Sequence, residues 1–267
     1  MSMEFLKTAI KRVCCGFVAI MLWSGPGLNL AQAKSVRLLT EIYPPLQYME
    51  NGQLTGIGAE VVRELQKRMG HVEPIEILPW KRGYEQAKNR SGTGLFSMAR
   101  TPVREDLFQW VGPLFAANTF IFVHGDSKLK ISSIDDLAKL EQIVTQAGGA
   151  NHQYLQSLGL TNVLGVHDIS RISHLLLNKR VTAIMSSDLF VARQLQDMGE
   201  DYSSIQPVVR ASGWGSYIGF SPATSPKVLR RWRTALKSMR DDGTLQRIQD
   251  RYLPSSDVWD APQLEGL

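Results

Sequence analysis

Short runs of β-branched and apolar residues alternate along this chain with stretches whose apolar positions recur every three or four residues. Val36–Leu39, Ile75–Leu78, Leu95–Met98, Thr119–Val123, Gln142–Thr145, Val163–Val166, Val181–Met185 and Tyr217–Phe220 read as strands, several too uniformly apolar to keep one face in water. Between them, Ile57, Val61, Val62, Leu65 and Met69 form the stripe of an amphipathic helix that Gly70 can end, and Ser133 can cap a helix carrying Ile134 and Leu137. Such alternation predicts an α/β fold on mainly parallel sheets. The end of the chain differs. Ser225-Pro226 opens a helix with Val228, Leu229, Trp232, Leu236 and Met239 on one side, and after Asp241-Asp242-Gly243 a second helix carries Leu245, Ile248 and Tyr252. Two successive helices with no strand between them predict a brace on a domain already formed.

The first residues do not belong to this pattern. Lys7, Lys11 and Arg12 precede an apolar run from Val13 to Trp23, and Ala31-Gln32-Ala33 supplies the small-x-small site of a secretory leader, with cleavage expected after Ala33. The run is shorter than the about 20 apolar residues of a membrane span. Cys14 and Cys15, the two cysteines of the chain, both lie in the leader, so the mature protein is expected to form no disulfide and no cysteine metal site. A soluble, exported, non-lipidated protein of the Gram-negative periplasm is the expectation.

Removing residues 1–33 leaves 267 − 33 = 234 residues and takes away three basic residues and one acidic one, so the formal charge falls from +5 to +3. That excess is mild and no basic run is interleaved with aromatics, which argues against a nucleic-acid partner. At 43% hydrophobic residues the chain can bury a large core, in one large domain or two small ones. The five histidines show no metal-ligand spacing. Gly56-Ile57-Gly58 begins like a dinucleotide fingerprint, but Val61 stands at its sixth position; no Gly-x-Ser-x-Gly elbow occurs. No cofactor or metal is expected.

One segment carries candidate chemistry. Thr101-Pro102-Val103-Arg104, followed by Phe108 and by Trp110-Val111-Gly112-Pro113, reads as a helix capped by Thr101 with Arg104 in its first turn. A guanidinium beside unpaired backbone N–H groups fits a carboxylate. The plain alternative is a capped helix with a solvated arginine.

Several stretches together resemble the solute-binding proteins of family 3, the amino-acid receptors of ABC importers. They are Glu41-Ile42-Tyr43-Pro44-Pro45-Leu46-Gln47-Tyr48, Asn51–Ile57, Ser97–Arg104 with Phe108 and Gly112-Pro113, Gln146-Ala147-Gly148-Gly149, Asn178–Ala183 and Asp242–Leu245, in the family's order. The resemblance spans nearly all of the chain after the leader. It implies a two-lobed type II periplasmic binding fold, each lobe a mainly parallel sheet flanked by helices. Lobe 1 would hold residues 34–118 and 212–267, lobe 2 residues 119–211, with crossings at Ala116–Thr119 and Arg210–Gly213. Ligand would lie in the cleft and close it, and a monomer would deliver the ligand to a permease in the inner membrane.

Carried over residue by residue, Arg104 would hold the ligand's carboxylate, with Ser97 and the backbone of Ala99 adding hydrogen bonds. Tyr43 and Trp80 would form apolar walls, ordinary core being the alternative for each. From lobe 2, Gly148-Gly149-Ala150-Asn151 would offer N–H groups at a helix start, and Asp188 would pair with the ligand's ammonium. Two departures stand out: Ala150 replaces the usual hydroxyl residue, and direct counting puts Ser187, not Asp188, at the acidic position. Lys81, Arg82 and Arg100 would add positive charge near the cleft. An enzyme on the same fold, resembling periplasmic dehydratases, would need an acid in the cleft; between Gln142 and Gly199 there is no glutamate and only three aspartates. A sensor subunit serving a membrane receptor is a further alternative.

Overall fold

All eight apolar runs become strands, and with two further strands they assemble into two five-stranded sheets. The computed structural model describes residues 36–70, 72–211, 213–253 and 259–263; the expected leader, its cleavage site and His71 lie outside the described residues. The strands are β1 (Arg37–Thr40), β2 (Tyr48–Glu50), β3 (Gln53–Thr55), β4 (Ile75–Ile77), β5 (Thr93–Ala99), β6 (Gln109–Ala116), β7 (Thr119–His124), β8 (Ile143–Gln146), β9 (Val163–Val166), β10 (Ala183–Ser187), β11 (Ile205–Ala211) and β12 (Gly215–Phe220). The helices are α1 (Ile57–Arg68), α2 (Trp80–Asn89), α3 (Ile134–Ala138), α4 (Ala150–Ser157), α5 (Arg171–Leu177), α6 (Asp188–Met198), α7 (Pro226–Asp241) and α8 (Thr244–Tyr252).

One sheet has the order β4-β1-β5-β12-β6 and the other β11-β7-β10-β8-β9, while β2 and β3 pair as a small hairpin. The sheets are mixed. A single reversed strand in each, β12 in the first and β7 in the second, makes both antiparallel pairs of its sheet. These two strands follow directly on β11 and β6, without the helical crossover that a parallel pair requires. The chain passes from the first sheet to the second at Ala117-Asn118 and returns between Ala211 and Gly215, so the architecture is two-lobed with two crossings. The strands β6 and β11 were not visible as apolar runs because Pro113 and Pro207 interrupt them.

Local signals behave as the residues suggest. Gly70, at φ +69°, ends α1 in the left-handed region. Ser133 accepts a hydrogen bond from the Asp136 N–H at 3.2 Å, and Ser225 one from Lys227 at 3.3 Å. The two terminal helices brace the first lobe: Leu229, Trp232, Leu236, Met239, Leu245 and Ile248 share one core with Ile57, Val61, Val62 and Leu65 of α1. Residues 259–263 were expected with the first lobe but lie on the second. Trp259 packs against Phe122 and Tyr202, with ring centroids 5.0 and 5.5 Å away, and Arg210 N–H donates to Pro262 O at 2.9 Å. A large aromatic near the end of the chain is held by the apolar face it can cover.

Candidate functional site

Between the sheets lies a cavity of about 110 Å³ lined from both lobes, and Arg104 is at its wall. Its residue is 0% exposed, the largest fully buried side chain among the described residues. The route by which the chain puts it there differs from the expectation. Pro102–Leu107 is a short 3-10 helix, Thr101 makes no capping hydrogen bond, and the Arg104 N–H bonds to Thr101 O at 3.0 Å. The positive character of the site therefore comes from the guanidinium, not from a long helix.

That guanidinium is held by protein groups without being neutralised. Nε donates to Gln153 Oε1 of α4 at 2.8 Å, and Nη1 donates to Ala99 O at 3.3 Å. The Trp80 and Tyr84 rings lie 5.0 and 5.2 Å from its carbon, on the scale of cation–π contact. Among the described residues no carboxylate is within ion-pair distance of it. Burial pulls its pKa down to about 10, which leaves it cationic at neutral pH.

Seven of the eight residues carried over from the family line this cavity: Tyr43, Trp80, Ser97, Ala99, Arg104, Ala150 and Asn151. Ser97 sits within β5 at φ +57°, a left-handed backbone of a kind that costs on the order of 1–3 kcal/mol in a non-glycine residue and concentrates at functional sites. Tyr43 stacks on Phe190 of the opposite lobe, centroids 4.5 Å apart. Burial pushes its hydroxyl up to about 12. Trp80 is less an apolar wall than a clamp: its Nε1 donates to Gly148 O at 2.8 Å across the cleft. Of the three basic residues expected nearby, Arg100 is paired with Glu105 and stacked over Trp110 and Tyr217, and neither it, Lys81 nor Arg82 lines the cavity.

Asp188 is the eighth residue, and its assignment is corrected. It does not line the cavity; as the first residue of α6 its carboxylate accepts from the Leu189 N–H at 2.7 Å and from Asn118 Nδ2 at 3.2 Å. Ser187 faces the cavity, although its Oγ caps α6 by accepting from Phe190 N–H.

The site also contains what the sequence did not disclose. Glu41 projects from the end of β1 and is, with Arg104, one of the two charged residues in the cavity lining. Gln146 of the other lobe donates to its Oε2 at 2.6 Å. Burial raises the Glu41 carboxyl to about 8, with Gln146 and Arg104 acting in the opposite direction, so it is mostly protonated at neutral pH. The scarcity of acids within 142–199 therefore does not leave the cleft without one, because the acid comes from the first lobe. Seven buried side-chain polar atoms lack a hydrogen-bond partner among the described residues, and five of the seven belong to residues that line this one cavity: Gln47 Oε1, Ser97 Oγ, Ser186 Oγ, Trp214 Nε1 and Ser216 Oγ. Such orphans are uncommon because they are costly. The Gly56-Ile57-Gly58 stretch serves packing. A side chain at Gly58 would come within 2.2 Å of Ser97 Oγ, so the glycine lets α1 start against the site.

The fold and site have counterparts. Residues 36–255 match the bacterial extracellular solute-binding proteins, family 3, and the chain belongs to that family. It is similar to the amino-acid-binding protein AabA of Dichelobacter nodosus, 23% identical over 95% of this chain and 99% of that one. It is also similar to the arginine-binding extracellular protein ArtP of Bacillus subtilis, 22% identical over 86% of this chain and 89% of that one. Among solved structures, a histidine kinase sensor domain with similarity to periplasmic binding proteins superposes with a TM-score of 0.74 at 17% identity, covering 84% of this chain and 97% of that one. No helix among the described residues is long and apolar enough to cross a membrane.

Proposed function

We propose that this chain is an exported periplasmic receptor, cleaved after Ala33, whose lobes shut around a small amino acid and present it, as a monomer, to an ABC importer. Its first lobe would comprise residues 34–118 with the helical brace, and its second 119–211 with the strap 259–263. The observation that carries the reading is Arg104: a wholly buried cation with no acid partner, at the wall of a polar-lined cavity between two lobes. Leaving a buried charge unpaired costs several kcal/mol, and a ligand carboxylate removes that cost. The cavity's about 110 Å³ is well above the roughly 10–15 Å³ that a single water needs, so it admits a guest larger than water.

Glu41 supplies the counter-charge that the Ser187 position lacks. An ammonium placed between Glu41 and the Ser97, Ser186 and Ser216 hydroxyls draws the carboxyl into its ionised form. The relatives named for binding amino acids and arginine support this class of ligand. The test is a thermal-shift and calorimetric screen of the purified protein against amino acids and small carboxylic acids. A ligand must raise the melting temperature, and Arg104→Met must abolish that rise; a carboxylate that binds the variant as well as the native protein defeats the proposal.

Glu41 also favours a second reading, since a protonated carboxylic acid facing a guanidinium is the equipment of an acid-catalysed elimination. Turnover of prephenate or arogenate, lost in Glu41→Gln, would establish it in place of the receptor.

A further inference from the structure

The cavity around Arg104 has a second chamber behind it. Beyond Glu41, Trp80 and Gln146, which line both spaces, lies an open chamber of about 590 Å³. Its lining is mixed: Ile42, Pro44, Ile77 and Pro79 of the first lobe and Ile169 and Phe190 of the second are apolar, while Lys81, Asp168, Arg193 and Asp197 add charge. Ile42 and Ile77 are 37% and 40% exposed, two of the seven large hydrophobic residues exposed among the described residues, and both turn towards this chamber. Exposed aliphatic side chains gathered in a concavity mark a surface that something apolar covers.

The residues shared by the two chambers bond across the cleft: Gln146 Nε2 donates to Glu41 Oε2 at 2.6 Å, and Trp80 Nε1 to Gly148 O at 2.8 Å. The Glu41–Gln146 pair has unused capacity. Glu41 keeps its second oxygen and Gln146 its amide oxygen. The Gln146 amide C=O is left as an acceptor for the N–H of a secondary amide in a ligand, whichever protonation state Glu41 takes.

We propose that the ligand is an amino acid whose side chain bears an amide-linked apolar group: the carboxylate sits on Arg104, the amide lies at the Glu41–Gln146 pair, and the apolar tail occupies the outer chamber. This deepens the receptor reading and rests on it. An Nε-acyl-lysine carries a carboxylate, a side-chain secondary amide and an apolar tail in that order along its chain.

The experiment is isothermal titration of the purified protein with L-lysine and its Nε-acetyl, Nε-butyryl, Nε-hexanoyl and Nε-octanoyl derivatives, alongside a panel of the free amino acids. Each is measured on the native protein, on Ile77→Asn and on Arg104→Met. Affinity is expected to rise about fourfold for every methylene that enters the outer chamber. Ile77→Asn should flatten that rise and leave Nε-acetyl-lysine within about twofold. A flat or falling series on the native protein, or a rise that Ile77→Asn leaves intact, overturns the inference. If free amino acids bind in an Arg104-dependent way and no acylated lysine does, the two-chamber ligand is wrong and the receptor reading stands. If nothing binds in either panel, or binding ignores Arg104→Met, the receptor reading falls and the inference falls with it.

Discussion

Exchanging Glu41 for glutamine isolates the electrostatic cost of the cavity. Burial raises this carboxyl from the ordinary glutamate value of 4.5 to about 8. At about 1.36 kcal/mol for each pH unit, an ionised carboxylate fixed there costs on the order of 5 kcal/mol. Between those two values the folded protein holds a proton that the unfolded chain has released. Stability therefore falls as pH rises from about 4.5 through about 8, and levels off above. The cavity admits water and the lobes can part, so relaxation caps the loss, and roughly half the ceiling, about 2–3 kcal/mol, is expected. For a chain of this size that is a drop of roughly 5–10 °C in melting temperature. Glutamine keeps the shape and an acceptor for Gln146 but carries no charge at any pH. Melting curves of the ligand-free native protein and Glu41→Gln from pH 5 to pH 9.5 provide the assay, because titrations elsewhere cancel in the difference. The variant should gain about 5–10 °C on the native protein across that range. Parallel curves would show that the carboxyl is not desolvated, and the account of the site would fail with it.

Arg104→Met should weaken any carboxylate ligand by at least about 100-fold while leaving the ligand-free melting temperature level or higher, since a buried unpaired charge is replaced by an apolar chain of similar bulk; a fall of several degrees would mark the arginine as structural. Asp188→Asn should leave ligand affinity within about twofold and cost about 1 kcal/mol of stability through α6 and Asn118, which titration and urea unfolding separate. Gly58→Ala places a methyl group 2.2 Å from Ser97 Oγ; a loss of about 1–3 kcal/mol together with weaker binding is expected, and unchanged unfolding would refute the packing. If an ammonium pairs with Glu41, binding at pH 7 should release up to about one proton, read as a dependence of the calorimetric heat on buffer; Glu41→Gln should remove it.

The parts of this molecule that were legible in its sequence are those with a local cause. The α1 stripe, the Gly70 stop, the Ser133 and Ser225 caps and the terminal brace each depend on residues within a few positions of one another. Arg104 was legible through the run that surrounds it, although the helix expected there is a short 3-10 turn with an idle Thr101. Glu41 was not. It is one acid at a strand end with no periodicity to mark it, and its character arises from Gln146, over a hundred residues away, and from burial that only the closed lobes create. Gln153 was hidden for the same reason. Asp188 misled because a carboxylate next to the expected position looked like a one-residue slip, whereas the strand ends at Ser187 and the next residue begins a helix. The reversed strands β7 and β12 have no local signature, since direction is set by where the preceding strand leaves the other lobe.

Four bonds that span the cleft, Glu41 with Gln146, Trp80 with Gly148, and Arg104 with Gln153 and with Gly148, are made between protein groups alone. Each contributes about 0.5–1.5 kcal/mol net, and together they lift the share of empty molecules that are already shut. Pre-closure of this kind raises apparent affinity, because less of the guest's interaction is used to bring the halves together. It also makes loaded and vacant molecules look more alike to whatever inspects them from the membrane, so weakening any one of these bonds should sharpen discrimination while loosening the grip.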